Sequence, residues 1–297
     1  MRFNEIGQQL RAYRMESGLR AEEIAARLGV SRAALYRYEK GEVIKLDTVK
    51  RLAELLKISP LSLLGIGVEY YARPVGYFER IRQIEETADQ VLQVGGPLSY
   101  LTTSEQYDTL LGEIARELAV ASPDRAAAES MAEQVAGVLA ARKRMYHSRR
   151  PGIIAIVSLP ALQRLLETGI IAGTQISDRL SRQCRDVAVR EVESIAAMME
   201  AEPMGLQFGL LPSSEPSGAF AVYRARDRAM LAVNPFAGDA APGVQSGVAM
   251  ITGADEAVAA HQRVAEAMWR ESVKGAAAAR QVRALLESVQ PSAAQAA

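Results

Sequence analysis

The sequence has a single cysteine, two histidines and no long apolar run. Cys184 alone can form neither an internal disulfide nor a cysteine-rich metal site, and a chain without disulfides suits a reducing cytoplasm. Residues 1–16 are charged and amphipathic, unlike a signal peptide, and no segment approaches the ~20 apolar residues that cross a bilayer. We therefore expect a cytoplasmic protein with no membrane partner.

Groups that carry catalysis are also scarce. His147 and His261 are far apart in the sequence and fit no metal-ligand or triad spacing, so we expect each to be a surface or packing residue. No glycine-rich loop has the spacing that cradles phosphates. Cys184 admits two interpretations: a thiolate redox sensor beside arginines, or, as we favour, a small buried apolar residue. We expect no enzymatic activity, no cofactor and no metal.

The chain is long enough and apolar enough to form more than one hydrophobic core. It contains 297 residues, of which 49% are hydrophobic and 24% charged, and it carries no net charge. Between Met1 and Ile66 there are 12 Lys and Arg against 8 Asp and Glu, a surplus of 4 positive charges. The N-terminal part is therefore mildly basic, which alone is weak support for a nucleic-acid partner.

The first 66 residues show five short segments with apolar residues at helical spacing. Gly29 permits a sharp turn between the second and third of them, and Ser31 is an N-cap for the third. The predicted helices after the first cover 21–28, 32–39, 48–57 and 60–64. Such a compact bundle is typical of a helix-turn-helix domain, in which one helix lies in the major groove and presents a few side chains to the bases.

Residues 24–39 fit that geometry. Ala25, Gly29, Val30 and Leu35 are the small and apolar positions that let two helices meet. The outward positions of the third helix are Arg32, Ala33, Tyr36 and Arg37.

Residues 6–64 resemble the Xre/Cro-type family of phage and bacterial repressors, on the residues Leu10, Arg14, Gly18, Ile24, Ala25, Leu28, Gly29, Val30, Ser31, Leu35, Glu39, Gly41, Leu52, Ala53 and Leu55. The resemblance implies binding to a double-stranded DNA operator. The DNA-binding residues it implies are Arg20, Ser31, Arg32, Ala33, Tyr36, Arg37 and Lys40. It also implies that Glu39 is structural and pairs with a basic residue inside the same helical bundle.

The chain departs from that family at the start of the second helix, where Arg20-Ala21 replaces the common Thr-Gln. In that family the glutamine braces both the third helix and a phosphate. Arg20 still reaches a phosphate in this interpretation, but the contact that braces the third helix is not carried over. Arg32 stands where another glutamine often reads adenine. Our hypothesis is that Arg32 reads a guanine, since arginine pairs bidentately with its O6 and N7 atoms.

The expected fold is an all-α N-terminal five-helix helix-turn-helix domain followed by a larger α+β C-terminal regulatory domain. Residues 1–66 form the helix-turn-helix domain, 67–76 a linker and 77–150 a helical connecting or dimerisation region that includes a helix over 76–93. Residues 151–290 form an α/β sensor domain, and 291–297 a disordered tail. The strands predicted in the sensor domain cover 153–157, 206–211, 219–223, 230–233 and 248–252.

Residues 134–166 contain no acidic residue, and a basic cluster lies within this range. It contains Arg142, Lys143, Arg144, Arg149 and Arg150. Three interpretations stay open: contacts to an anionic effector, contacts to phosphates that flank the operator, or a solvated helix end favoured by the helix dipole.

The segment Gly218–Tyr223, preceded by Leu210-Leu211-Pro212, resembles the regulatory domain of WhiJ-like regulators, which would imply a small partner protein. We favour a homodimeric repressor controlled by a small-molecule effector; the alternative is an antitoxin-like or developmental regulator that binds a partner protein. A deep pocket lined by Tyr, Phe and Met would favour the first, and a broad exposed apolar patch the second.

Overall fold

A computed structural model of the chain describes residues 3–171, 175–236 and 247–289. The first part is helical and comprises α1 (Phe3–Ser17), α2 (Ala21–Leu28), α3 (Arg32–Glu39), α4 (Leu46–Leu56) and α5 (Pro60–Leu63). We call residues 3–63 the head and the remaining described residues the body. The predicted tail over 291–297 lies outside the described residues.

The body mixes helices with one sheet. Its elements are β1 (Val68–Tyr71), α6 (Pro74–Glu85), β2 (Gln90–Val94), a 3₁₀ turn (Tyr100–Thr102), α7 (Glu105–Val120), α8 (Arg125–Arg149), β3 (Gly152–Ser158), α9 (Leu159–Thr168), α10 (Asp178–Ala201), β4 (Leu206–Leu211), β5 (Phe220–Arg224), β6 (Ala229–Val233), β7 (Ala249–Thr252), α11 (Asp255–Glu271) and α12 (Gly275–Val289). A helical head followed by a larger α+β region is confirmed. No helix in the described ranges is long and apolar enough to span a bilayer.

The sheet has seven strands in the order β1-β7-β6-β5-β2-β3-β4. β2, β3 and β4 are parallel neighbours, and the other pairs are antiparallel. Successive side chains point to opposite faces of a strand. Val91 therefore joins the core shared with the head and most helices, whereas Leu92 joins a smaller core beneath α11.

Two sequence predictions between the head and β3 are corrected by the structure. The predicted linker over 67–76 contains the edge strand β1 and the start of α6. The helix predicted over 76–93 ends at Glu85, and residues 90–94 form the interior strand β2. Apolar residues at 91, 92 and 94 fit a helix as well as a buried strand, and only pairing with β3 and β5 decides between them.

The head packs directly on the body. Tyr13 of α1 stacks on Tyr71 of β1 with ring centroids 5.2 Å apart. Gln9 donates a hydrogen bond of 2.6 Å to Glu69, and Arg80 of α6 pairs with the same carboxylate at 2.8 Å. The buried apolar residues of the head and of the body belong to one continuous cluster. The head is therefore held to the body by a packed and hydrogen-bonded interface.

Candidate nucleic-acid interface

The turn between α2 and α3 has the local chemistry expected from the sequence. Gly29 adopts φ 71°, a left-handed conformation that costs glycine little. The Ser31 hydroxyl accepts a hydrogen bond of 3.1 Å from the backbone N–H of Ala34, which caps the start of α3. Leu28 and Leu35 are buried between the helices. The predicted bounds of α2 and α3 are confirmed.

The outer face of α3 is open to solvent. Exposed positions that the sequence singled out are Arg20, Ser31, Arg32, Ala33, Arg37 and Lys40. Tyr36 is half-buried, and its ring carries the Arg32 guanidinium 5.3 Å from the centroid. An ion pair of 2.7 Å between Arg32 and Glu22 brings the N-terminal ends of α2 and α3 together. Contact of these side chains with DNA stays a prediction.

Two arginines of α3 are held by nearby carboxylates in the free protein. Arg32 pairs with Glu22, and Arg37 pairs with Glu42 at 3.1 Å. All four side chains are more than half exposed, so water competes strongly for both pairs. A phosphate or a guanine edge can therefore take over either arginine at little cost.

The opposite side of α3 is fixed to α1 by a buried ion pair. Arg14 donates two hydrogen bonds to Glu39, of 2.5 and 3.1 Å, and also lies over the Tyr36 ring. Burial would lower the pKa of Arg14, but the Glu39 carboxylate raises it above its ordinary value. The prediction that Glu39 is structural and pairs with a basic residue of the head is confirmed.

Sequence reasoning missed the role of Gly7 in this arrangement. A Cβ atom at Gly7 would lie 2.5 Å from the carbonyl oxygen of Tyr38 and 2.7 Å from that of Glu39. The α1 backbone therefore touches the end of α3, and only glycine fits there. A lone glycine inside a helical pattern was the available signal, but nothing in the sequence identifies what it approaches.

The predicted basic cluster is divided by the structure. Arg142 and Lys143 are buried and paired, with Glu85 at 2.7 Å and with Asp108 at 2.6 Å. They present no charge to a DNA surface, which corrects their grouping with the other three. The acids that neutralise them come from other helices, so counting acids along the chain did not find them. Exposed members are Arg144, Arg149 and Arg150.

The residues weighed for catalysis lie apart. Cys184 is buried, and burial raises the pKa of its thiol to about 11, which disfavours a reactive thiolate. His147 is exposed near the end of α8, whereas the His261 ring packs against Phe220 at 4.9 Å. Within the described residues, no three His, Cys, Asp or Glu side chains group as a metal site.

A cavity of about 110 Å³ lies in the body between α6, β2, β5 and α8. Its walls are mostly aromatic and aliphatic, with the Glu85–Arg142 pair at one side. The rings of Tyr77, Phe78 and Phe236 contact one another there, with centroids 5.3 to 6.4 Å apart. Apolar walls with a few polar groups are typical of a small-molecule site.

Comparison with known families agrees with the geometry of the head. Residues 5–63 match a family described as a helix-turn-helix domain. The match covers α1 to α5 apart from the first residues of α1. Together with the exposed face of α3, it supports a DNA-binding transcription regulator.

Comparison of the whole chain gives little more. No curated protein matches it. A solved structure of TrmBL2, described as an archaeal chromatin protein with a novel mode of DNA binding, matches with 11% identity and a TM-score of 0.33. That match covers 77% of this chain but 62% of TrmBL2. At this level of likeness no functional conclusion follows from it.

Proposed function

We propose that the chain is a sequence-specific regulator of transcription that binds a double-stranded operator through α3 and acts as a repressor. The observation that carries this is the asymmetry of α3. Leu35 and Glu39 anchor it to the head, while Arg32, Ala33 and Arg37 remain exposed. Arginines on an exposed helix that follows a tight turn suit the floor and phosphate walls of a major groove.

We propose that two copies bind together as a homodimer. One head offers a single short helix, which reads only a few base pairs. Useful affinity and specificity therefore require two heads on half-sites about one helical turn apart.

We propose further that a small molecule bound in the body controls the operator affinity. The aromatic cavity beside α6 supports this, because it combines apolar walls with a few polar groups in the part of the body that carries the head. No enzymatic role is proposed.

One observation favours the alternative of a protein partner. Tyr70 of the edge strand β1 is paired with Met250 of the adjacent strand β7, and the two residues are 55% and 39% exposed. Paired exposed apolar side chains at an open edge suit contact with another chain. Capture of a small protein that is lost in a Tyr70→Lys variant, with DNA binding unchanged, would favour this second function.

Selection of bound sequences from a random DNA pool tests the main proposal. The full chain is expected to enrich an inverted repeat whose half-sites lie about one helical turn apart. The double variant Arg32→Ala with Arg37→Ala should enrich nothing, while Arg125→Ala, a matched change of an exposed arginine on α8, should enrich the same site. Light scattering on the free protein measures the dimer. Failure of the unmodified chain to enrich any sequence contradicts the proposal.

A further inference from the structure

We propose that the cavity beside α6 binds a small uncharged compound with one ring and one hydrogen-bonding group, and that α6 transmits its occupancy to the head. The binding part stands on the cavity alone. The regulatory part rests on the proposed function, because it assigns the effector to this cavity and names its chemistry.

The volume limits the ligand to about one ring. An apolar protein cavity of roughly 150 Å³ is known to hold benzene. The cavity here, at about 110 Å³, is somewhat smaller, so a single six-membered ring fits with slight movement of the walls.

The walls favour an aromatic or otherwise flat apolar body. Phe78 and Phe236 contribute their rings, while Leu139 and Leu165 close the cavity from α8 and α9. A ring that enters this space gains edge-to-face and stacked contacts in addition to the burial of its apolar surface.

The polar side of the cavity offers hydrogen bonds but no net charge. Arg142 donates two hydrogen bonds to Glu85, of 2.9 and 2.7 Å, so each charge is already compensated. A charged ligand would be stripped of water and would find no free counter-charge. An uncharged ligand avoids that cost.

Two buried tyrosines supply the groups that a hydroxyl or carbonyl of the ligand would meet. Tyr77 and Tyr223 line the cavity and are only 2% and 6% exposed. Both side chains form part of the cavity wall, so a ligand in the cavity lies within reach of them. Burial raises the pKa of both, so they remain neutral hydroxyls able to donate and to accept.

Helix α6 has the cavity on one face and the head on the other. Tyr77 and Glu85 are two turns apart and share the cavity face, whereas Gly76 and Arg80 lie one turn apart on the opposite face. Gly76 is so close to α1 that a Cβ atom there would lie 2.6 Å from a carboxylate oxygen of Glu16. Arg80 binds Glu69, which in turn accepts from Gln9 of α1.

The same path reaches α3. The C-terminal end of α1, at Glu16, contacts α6. Near its N-terminal end, at Gly7, α1 contacts the end of α3. A ligand that moves α6 by a fraction of an ångström therefore displaces α1, and α1 in turn bears on the end of α3, because packed interfaces transmit strain. Occupancy of the cavity is expected to change how α3 is presented to DNA.

Calorimetry with phenol, benzoate and benzylammonium as probes tests the binding part on the full chain. Phenol should bind, and the two charged probes should not. Tyr77→Phe and Tyr223→Phe each remove one hydroxyl and should weaken phenol binding roughly two- to tenfold. Tyr70→Phe, on the exposed edge strand, is the matched control and should leave it unchanged. No phenol binding, or equal binding of a charged probe, overturns the proposal.

Filling the cavity gives a second readout that does not depend on the hydroxyls. Leu139→Phe, and separately Leu165→Phe, should abolish phenol binding in protein whose circular dichroism and gel-filtration volume match the unmodified chain. If both variants fold and bind phenol as before, the ligand lies elsewhere and the assignment is wrong.

Hydrogen exchange tests transmission without any DNA. Phenol should slow or speed exchange of the α1 and α3 amides in the unmodified chain and in Tyr70→Phe, but not in the filled-cavity variants. Binding of phenol without any change in α1 and α3 overturns the role of α6. Because neither measurement uses an operator, failure of DNA binding alone would refute the proposed function and leave the cavity assignment standing.

Discussion

Cutting the Arg14–Glu39 pair should both destabilise the protein and misplace α3. The Glu39 side chain is only 4% exposed and that of Arg14 17%, so neither charge is well solvated once its partner is removed. Removal of one member of a buried ion pair typically costs about 3–5 kcal/mol. We expect about 2–4 kcal/mol for Glu39→Leu, because water still reaches part of Arg14, and more for Arg14→Met, because Glu39 is the more deeply buried charge.

The double variant, Arg14→Met with Glu39→Leu, separates the contribution of the ion pair to stability from the contribution of side-chain packing. Replacing both charges by apolar groups of similar size leaves no unpaired charge, and such replacements are often neutral. The free energy of unfolding of Arg14→Met with Glu39→Leu should therefore be reduced by less than the sum of the two single changes. A coupling energy of roughly 1–3 kcal/mol is expected for two groups in direct contact.

Urea unfolding is the assay, followed by Trp269 fluorescence and by far-ultraviolet circular dichroism. Trp269 lies in α11 of the body, whereas circular dichroism also reports the helices of the head. Because head and body share one apolar cluster, both signals should shift together. Arg125→Gln, which removes an exposed ion pair on α8, is the control and should change stability by less than about 0.5 kcal/mol. Additive single changes, or a smaller loss for Arg14→Met than for Glu39→Leu, would refute the reasoning.

Four further outcomes are expected. Arg32→Ala should weaken binding to the preferred operator by roughly 5- to 150-fold and relax preference at one base pair, as measured on operator variants; equal weakening on all sequences contradicts guanine reading. Gly7→Ala should lower the free energy of unfolding by about 1–3 kcal/mol, since the added methyl group meets backbone, whereas the urea midpoint of Gly137→Ala should not fall. Reversing the charges of Arg149 and Arg150 should flatten the salt dependence of operator binding if they touch phosphates, and an unchanged slope excludes them. Cys184 should resist thiol reagents at pH 8, because its pKa of about 11 leaves little thiolate, and fast labelling of the folded protein would contradict this.

The head was predictable because its signals are local. Ser31 caps α3 through its own neighbours, and Gly29 turns the chain with its own backbone. Each of these features needs only a few adjacent residues, so the sequence shows them directly. The contact of Gly7 with the end of α3 joins residues about thirty positions apart, and no local pattern reveals it.

The interior strand β2 was missed for a related reason. β2 is five residues long, and its apolar positions follow a helical pattern from α6 without a strong break. Its identity as a strand depends on pairing with β3 and β5, which lie about 60 and 130 residues further along the chain. The strands β3 and β4 were found because each is a nearly continuous apolar run, which buried parallel strands commonly have.

Charge in the interior misled the sequence interpretation most, and α6 shows why that charge matters. Glu79, Arg80 and Glu85 would normally mark a solvated helix face, yet each is at most 5% exposed. Burial alone would raise the pKa of Glu79, but the guanidinium groups of Arg82 and Arg11 lower it, so the carboxylate stays ionised between the head and the body. Buried charges are stable only when every partner is in place, whereas apolar side chains tolerate sliding. We infer that the Arg11–Glu79 pair and the contacts of Glu69 with Gln9 and Arg80 hold α1 and α6 in one register. A fixed register is the condition for a ligand on one side of α6 to act through α1 on α3.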